Sequence, residues 1–179
     1  PIWVGGDRSA RERRSYFFKE LNNTSKHALP KFRYDPDSLK SQFRKARTAT
    51  ELGLIEALIT LNFLSYASNI QTGILKPASV DKEIVREVPY RSPGAYLKTL
   101  ISVKPQDFFS GLHPQSKQYT LLLSEKKRLE KIISKGGWYS ELPTELLRPG
   151  DIGDNVVLLR NALIKRGYLK NNLSEVYDG

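Results

Sequence analysis

Cysteine and methionine are both absent from this 179-residue sequence. Without cysteine, these residues hold no disulfide framework, no thiolate metal site and no cysteine nucleophile. Methionine is missing even at position 1, so we expect the sequence to be a processed or trimmed part of a longer protein whose signal peptide has been removed. The two histidines, His27 and His113, lie outside any cluster with ligand-like spacing. We therefore predict no metal, no cofactor and a structural role for both histidines.

A long hydrophobic run is lacking as well. The most apolar stretch, from Leu52 to Ala67, contains Glu56 and Asn62 and is shorter than the ~20 apolar residues that span a bilayer. We interpret this stretch as a buried core helix, and we predict no transmembrane segment.

Positive charge is concentrated in the N-terminal part of the chain. The net charge is +10, and residues 1–50 hold 12 Lys and Arg against 5 Asp and Glu, whereas residues 141–179 hold 5 against 6. Basic residues among aromatic ones also occur in nucleic-acid-binding proteins. Here the helical spacing of the aromatics predicts core residues with Lys and Arg on the solvated face, so we disfavour nucleic acid as a partner. These aromatics are Tyr16, Phe17, Phe18, Phe32, Tyr34 and Phe43.

Start and stop signals along the chain predict a mainly α fold. A capping box at Ser9–Glu12 predicts a helix to about residue 26, with Tyr16, Phe17 and Leu21 buried. A second capping box at Thr48–Glu51 predicts a central helix to residue 71 that is apolar on nearly all sides.

The other elements follow from proline, glycine and apolar spacing. Proline after Asp35 predicts a short helix with Pro36 in its first turn. We expect helices at 94–102 and 114–135, a loop between 104 and 114, and a short extended piece at 85–90. Gly136 and Gly137 should end the last of these helices, before a hinge at Trp138–Tyr139.

The most ordered signal lies near the C-terminus. Pro149-Gly150 is a turn dipeptide, Asp154 can cap a helix N-terminus, and Gly167 stands where a left-handed residue ends a helix. Apolar residues at i, i+3 and i+7 predict one buried face. We call the ordered string the C-terminal motif; it comprises Leu147, Pro149, Gly150, Asp151, Gly153, Val156, Leu159, Arg160, Leu163, Gly167 and Tyr168.

The C-terminal motif resembles the first half of the small helical peptidoglycan-binding domain found in many cell-wall enzymes. The resemblance implies that these residues, mainly structural in role, belong to a three-helix module whose partner is peptidoglycan. In that family a second helix follows an Asp-Gly turn, whereas this sequence stops at Tyr177-Asp178-Gly179, so we expect an incomplete module. Arg160 stands where the wider family usually has glutamine.

Residues 1–140 are similar to the scaffold region of large Gram-negative L,D-transpeptidases. The resemblance depends on the order of several short motifs, which lead into the C-terminal motif. They are Pro1-Ile-Trp3, Thr60-Leu61 through Tyr66-Ala67, Gly73 to Pro77, His113-Pro114 with Tyr119 and Leu122, and Gly136-Gly137-Trp138.

This second resemblance implies a helical scaffold domain at 1–140, the N-terminal part of a peptidoglycan-binding-like domain at 141–179, and export to the periplasm or cell envelope. The family's reaction joins stem peptides through an acyl-enzyme on a cysteine in a separate catalytic domain, which is missing here and counts as a partner. We therefore predict no catalytic residue in this chain. Two alternatives stay open: a stand-alone envelope adaptor that binds another protein through its basic N-terminal face, and a basic nucleic-acid-binding helical domain.

Overall fold

The computed structural model describes residues 1–83, 89–137, 142–170 and 174–178. Within these ranges the chain forms eight α-helices, two short 3-10 helices and no β-strand, which confirms the mainly α prediction. The 3-10 helices are Thr24–His27 and Lys31–Arg33. The α-helices are α1 Arg8–Asn22, α2 Pro36–Lys45, α3 Ala49–Thr72, α4 Pro77–Val80, α5 Pro93–Ser102, α6 Pro105–Leu112, α7 Lys117–Ser134 and α8 Asp154–Arg166. No helix in the described part of the chain is long and apolar enough to cross a membrane.

The chain divides into two compact units, Pro1–Leu123 and Ser124–Gly179, and the division falls inside α7. The first unit contains α1 to α6, and the second contains α8. The domain boundary at residue 140 stays a prediction. The extended piece at 85–90 and the hinge at 138–139 lie wholly or largely outside the described residues.

An aromatic cluster forms the core of the first unit. Ring centroids lie 5.2 to 6.3 Å apart in tilted, stacked and edge-to-face pairs, the arrangements that aromatic quadrupoles favour. These rings come from the N-terminal segment, α1, α3 and α6, so the cluster holds the elements of this unit together. Its members are Trp3, Phe17, Phe63, Tyr66, Phe108 and Phe109.

The N-terminal segment is attached to α3 by one carboxylate. Glu56 accepts hydrogen bonds from the backbone N–H groups of Ile2 (2.5 Å), Trp3 (3.0 Å) and Val4 (2.9 Å). The indole N–H of Trp3 donates to Thr60 Oγ1 at 3.0 Å, and the ring is fully buried. Glu56, which the sequence presented as an interruption of an apolar run, therefore positions the aromatic anchor of the core.

The two predicted capping boxes differ in outcome. Thr48 and Glu51 form the reciprocal box before α3, with Glu51 N donating to Thr48 Oγ1 (3.2 Å) and Thr48 N donating to Glu51 Oε2 (3.0 Å). The box predicted at Ser9 was wrong. Asp7 caps α1 instead, accepting from Ala10 N at 2.9 Å, so the helix begins at Arg8 and Ser9 lies inside its first turn.

Helix α3 is apolar on nearly all sides, as predicted, but the prediction that it is a buried core helix was wrong for one of its faces. Ile55, Ile59 and Phe63 point into the core, whereas Leu58 is 38% and Leu61 63% exposed. The packed elements cover one face of α3, so leucines on the other face of its N-terminal half remain in contact with solvent.

The loop expected between residues 104 and 114 was also wrong, because α6 lies there. Pro105 occupies the first turn of the helix, where its missing N–H costs no hydrogen bond. Phe108, Phe109 and Leu112 then form an apolar face that packs against the core. Proline at this position begins a helix and does not mark a loop.

Candidate functional site

The C-terminal motif forms helix α8 with a glycine at each end. Gly153 is the N-cap, with φ +126°, and Asp154 is the first helical residue, so the prediction that Asp154 caps the helix was wrong. Its carboxylate in the first turn still favours the positive end of the helix dipole. Gly167 ends the helix with φ +81°, and its N–H donates to the Ile164 carbonyl at 2.9 Å, as the left-handed glycine stop requires.

The turn before α8 pairs with the end of the chain. Gly150 N donates to the Tyr177 carbonyl (2.7 Å), and Tyr177 N donates to the Asp151 carbonyl (2.8 Å). The Asp151 carboxylate in turn accepts from Arg148 N at 2.6 Å, which closes the turn around Pro149. These motif residues therefore have a structural role: their hydrogen bonds fix the backbone conformation of the turn.

Arg160 connects α8 to the same C-terminal segment. Its guanidinium, in a side chain only 7% exposed, donates to the Val176 carbonyl at 2.7 Å and forms an ion pair with the Asp178 carboxylate. A buried charge is tolerated when it is paired and hydrogen-bonded, and Asp178 supplies that pairing. In this chain Arg160 is thus a structural residue that holds residues 176–178 against the helix.

The remaining motif residues differ in how far their side chains are buried. Val156 is buried, and Leu147, Leu159 and Leu163 are half-buried, which agrees with the predicted apolar face. Tyr168, just after the helix, is 80% exposed. The structure brings the motif together in the second unit, and among the large side chains of the motif Tyr168 is the most exposed. A direct role of any motif residue in ligand contact stays a prediction.

The first unit brings together two histidines that are 86 positions apart in the sequence. The rings of His27 and His113 stack with centroids 5.1 Å apart, and His27 Nδ1 is joined to the Tyr119 hydroxyl by a 2.5 Å hydrogen bond. Gln115 Nε2 lies 3.2 Å from His113 Nδ1. The two histidines are isolated in the sequence, and no local signal there pairs them.

Burial is the main cause of the pKa shifts of His27 and Tyr119. Desolvation lowers the pKa of the His27 imidazole, and the nearby His113 and Lys26 lower it further. Burial also raises the pKa of Tyr119. A neutral His27 is therefore the form that packs in this position. No group of three or more His, Asp or Glu side chains able to hold a metal ion occurs among the described residues, and the pair itself offers only two imidazoles.

A cavity of about 770 Å³ opens beside this cluster. The residues that line it include His113, Tyr119 and Leu122, together with Gln71 and Pro77. Its walls are mixed apolar and neutral polar residues, with His113 as the one titratable imidazole among the lining residues described. Among the described residues that line the cavity, no nucleophile and base are arranged in a way that would indicate catalysis.

One aromatic residue on the basic face contradicts the prediction that the aromatics of this region are core residues. Phe17, Phe18 and Tyr34 are buried, as predicted, and Phe43 packs against the core from its edge. Phe32, between Lys31 and Arg33, is 86% exposed, so the prediction that every aromatic of this region is a core residue was wrong for Phe32. The 3-10 helix at 31–33 turns this side chain outward.

Comparison with known proteins identifies the first unit. A family model described as Scaffold domain matches residues 1–125. The chain belongs to this Scaffold domain family. The matched residues include α1 to α6 and the beginning of α7, and with them the aromatic core, the Glu56 attachment and the histidine pair. No curated protein and no solved structure matches the chain.

Proposed function

We propose that this chain is the non-catalytic scaffold and peptidoglycan-binding-like region of a cell-wall L,D-transpeptidase, exported to the periplasm or cell envelope. The observation that carries the proposal is the order of two features: a Scaffold domain at 1–125, followed by the C-terminal motif on α8. The chain itself supplies no thiol nucleophile, because it contains no cysteine. In the proposed parent, the acyl-enzyme cysteine and its histidine belong to another part of the protein.

The proposed contact with peptidoglycan uses the exposed end of α8. Tyr168 presents an aromatic ring to solvent, and such a ring can pack against the apolar face of a sugar. Arg160 and Val156 are buried and cannot reach a polymer as large as murein, so their part is to hold the helix and turn in place. Positive charge adds a less specific attraction, since murein carries many carboxylates.

Sedimentation with purified sacculi tests the binding. We expect the chain to co-sediment weakly and Tyr168→Ala to reduce the bound fraction severalfold. The matched control is Tyr90→Ala, which removes another exposed tyrosine from the scaffold unit and should bind as the wild type does. The wild type and both variants are assayed at about 150 mM salt, where interactions between surface charges are screened beyond roughly 8 Å. Wild-type binding no greater than that of an unrelated basic protein would contradict the proposal.

The parent enzyme can be tested independently of binding. We expect the gene to encode, beyond these residues, a cysteine with a histidine to activate it. The full-length product, incubated with a tetrapeptide donor, should show a mass increase equal to the acyl group, and replacement of that cysteine by alanine should abolish it. A full-length protein without any cysteine would refute the L,D-transpeptidase assignment.

A second candidate function, that of an envelope adaptor, has one observation in its favour. Leu54 and Leu61 on α3 are exposed side by side with Leu58, and an apolar patch of this kind marks protein-binding surfaces. Under this alternative the scaffold acts by holding another protein, and the full-length product would show no acyl-enzyme in the mass assay described above.

A further inference from the structure

Helices α1 and α2 enclose a groove of about 490 Å³ on the basic face of the first unit. Five cationic side chains surround it, and no carboxylate is among the lining residues described. The cations are Arg11, Arg14 and Lys19 from α1, and Lys40 and Arg44 from α2. A concave surface with charge of a single sign concentrates the local electrostatic potential.

None of these five cations forms an ion pair with another described residue of the chain. The carboxylates that α1 and α2 carry have other partners. Glu12 pairs with Arg8, Asp37 lies 3.7 Å from Lys31, and Glu20 accepts a hydrogen bond from the Tyr66 hydroxyl at 3.3 Å. The positive charge of the groove is therefore not balanced by ion pairs at its rim.

Arg14 is held in a fixed position at the centre of this charge. Its guanidinium donates to the Trp3 carbonyl and lies 4.2 Å from the centroid of the Phe43 ring, while the Lys40 ammonium lies 5.6 Å from that of Phe18. Burial lowers the pKa of Arg14, and Arg11 adds to the lowering, with partial compensation from acidic residues nearby. An anion beside Arg14 would relieve this unfavourable crowding of charge.

The shape of the groove selects among anionic partners. Duplex DNA and a membrane present convex or flat surfaces, which cannot enter a cleft between two helices. Single-stranded nucleic acid would need an open aromatic face for base stacking, but Arg14 covers the Phe43 ring and Phe18 is buried. A peptide segment is slim enough to enter, and its carboxylates match guanidinium groups in geometry and charge.

We propose that the groove between α1 and α2 is a docking site for an acidic peptide segment of a partner protein. Aspartate or glutamate side chains pair with Arg14, Arg11 and Arg44, and an apolar side chain of the peptide packs against the aliphatic stems of the lining Lys and Arg side chains. This surface is independent of the proposed peptidoglycan contact, because all its residues lie in the first unit and none belongs to the C-terminal motif.

Fluorescence anisotropy with a labelled peptide tests the proposal. The probe is a glutamate-rich peptide with one central phenylalanine and a length of about ten residues, which in extended form spans roughly 30 Å. The protein is the 179-residue chain with both of its units, at about 150 mM salt. We expect saturable binding that weakens as salt is raised. The double variant Arg11→Glu with Arg44→Glu should raise Kd at least about tenfold.

Matched variants separate the groove from net charge. Lys98→Glu with Lys104→Glu changes the net charge by the same amount at exposed positions outside the groove and should leave Kd within about twofold of the wild type. Phe43→Leu keeps an apolar floor but removes the ring under Arg14, and should raise Kd about threefold. Thermal melts of every variant confirm that the fold is intact.

Three results would overturn the proposal: no saturable binding of the peptide, equal weakening by the two double variants, or tighter binding of a DNA oligonucleotide or of anionic lipid vesicles than of the peptide. Tyr168→Ala serves to distinguish the two proposals. It should reduce binding to sacculi and leave peptide affinity unchanged, so failure of one proposal does not imply failure of the other.

Discussion

Replacement of Glu56 should loosen the N-terminal segment and destabilise the first unit. The carboxylate accepts the backbone N–H groups of Ile2, Trp3 and Val4, and these bonds place the Trp3 ring in the aromatic core. A hydrogen bond to a charged group contributes about 1.5–3 kcal/mol when measured singly. Since the three bonds share one carboxylate and the freed amides regain water, we expect Glu56→Ala to cost about 2–4 kcal/mol in total.

Thermal and denaturant unfolding of Glu56→Ala would measure this cost. A loss of about 2–4 kcal/mol corresponds to a decrease in Tm of about 6–12 °C at roughly 3 °C per kcal/mol. Glu56→Gln keeps one acceptor oxygen without the charge and should lose about half as much. The control is Glu12→Ala, which breaks only an exposed ion pair with Arg8 and should cost less than about 0.5 kcal/mol.

Tryptophan fluorescence provides a second measurement on the same variants. The sequence has two tryptophans, so a Trp138→Phe background isolates the emission of Trp3. Release of the buried indole in Glu56→Ala should move its emission to longer wavelength before global unfolding. A Glu56→Ala protein as stable as the Glu12→Ala control, with unshifted emission, would refute the role assigned to this carboxylate.

The remaining predictions concern other sites. Ile59→Ala should cost about 2–5 kcal/mol in denaturant melts because its side chain is fully buried, whereas Leu61→Ala should cost at most about 0.5 kcal/mol; equal costs would contradict their placement on α3. Burial and adjacent positive groups hold the pKa of His27 below its ordinary 6.5, so the folded state binds this proton more weakly than the unfolded chain. Stability should therefore be intact above pH 6.5 and decrease as pH falls through 6.5 towards the lowered pKa, and His27→Gln should lose less between pH 8 and pH 5 than the wild type does. Arg160→Ala should release the C-terminal segment and accelerate amide exchange at Tyr177 about tenfold or more; unchanged exchange would show that the guanidinium does not hold that segment. The purified chain should form no cross-linked product from tetrapeptide donor and acceptor, since it has no thiol.

Local signals in the sequence were sufficient where one residue and its immediate neighbours decide the structure. The Thr48–Glu51 box, Pro36 in the first turn of α2, and the glycine stop at Gly167 all follow from backbone donors, proline geometry and positive φ within a few positions. Local signals failed where one sequence pattern was compatible with two different structures. Pro105 was compatible with a loop or a helix start, and only the packing of the following apolar residues against the core selected the helix.

The sequence by itself determined that this protein is mainly helical, that its basic residues are concentrated in the N-terminal part and that these 179 residues include no thiol. Tertiary structure alone decided which face of α3 is covered, that Glu56 holds Trp3, that His27 meets His113, and that five cations converge on one groove. These facts depend on residues that are far apart in the chain. Helical periodicity extends over only a few turns, so no local pattern specifies which distant side chains meet or which apolar stripe is left in solvent.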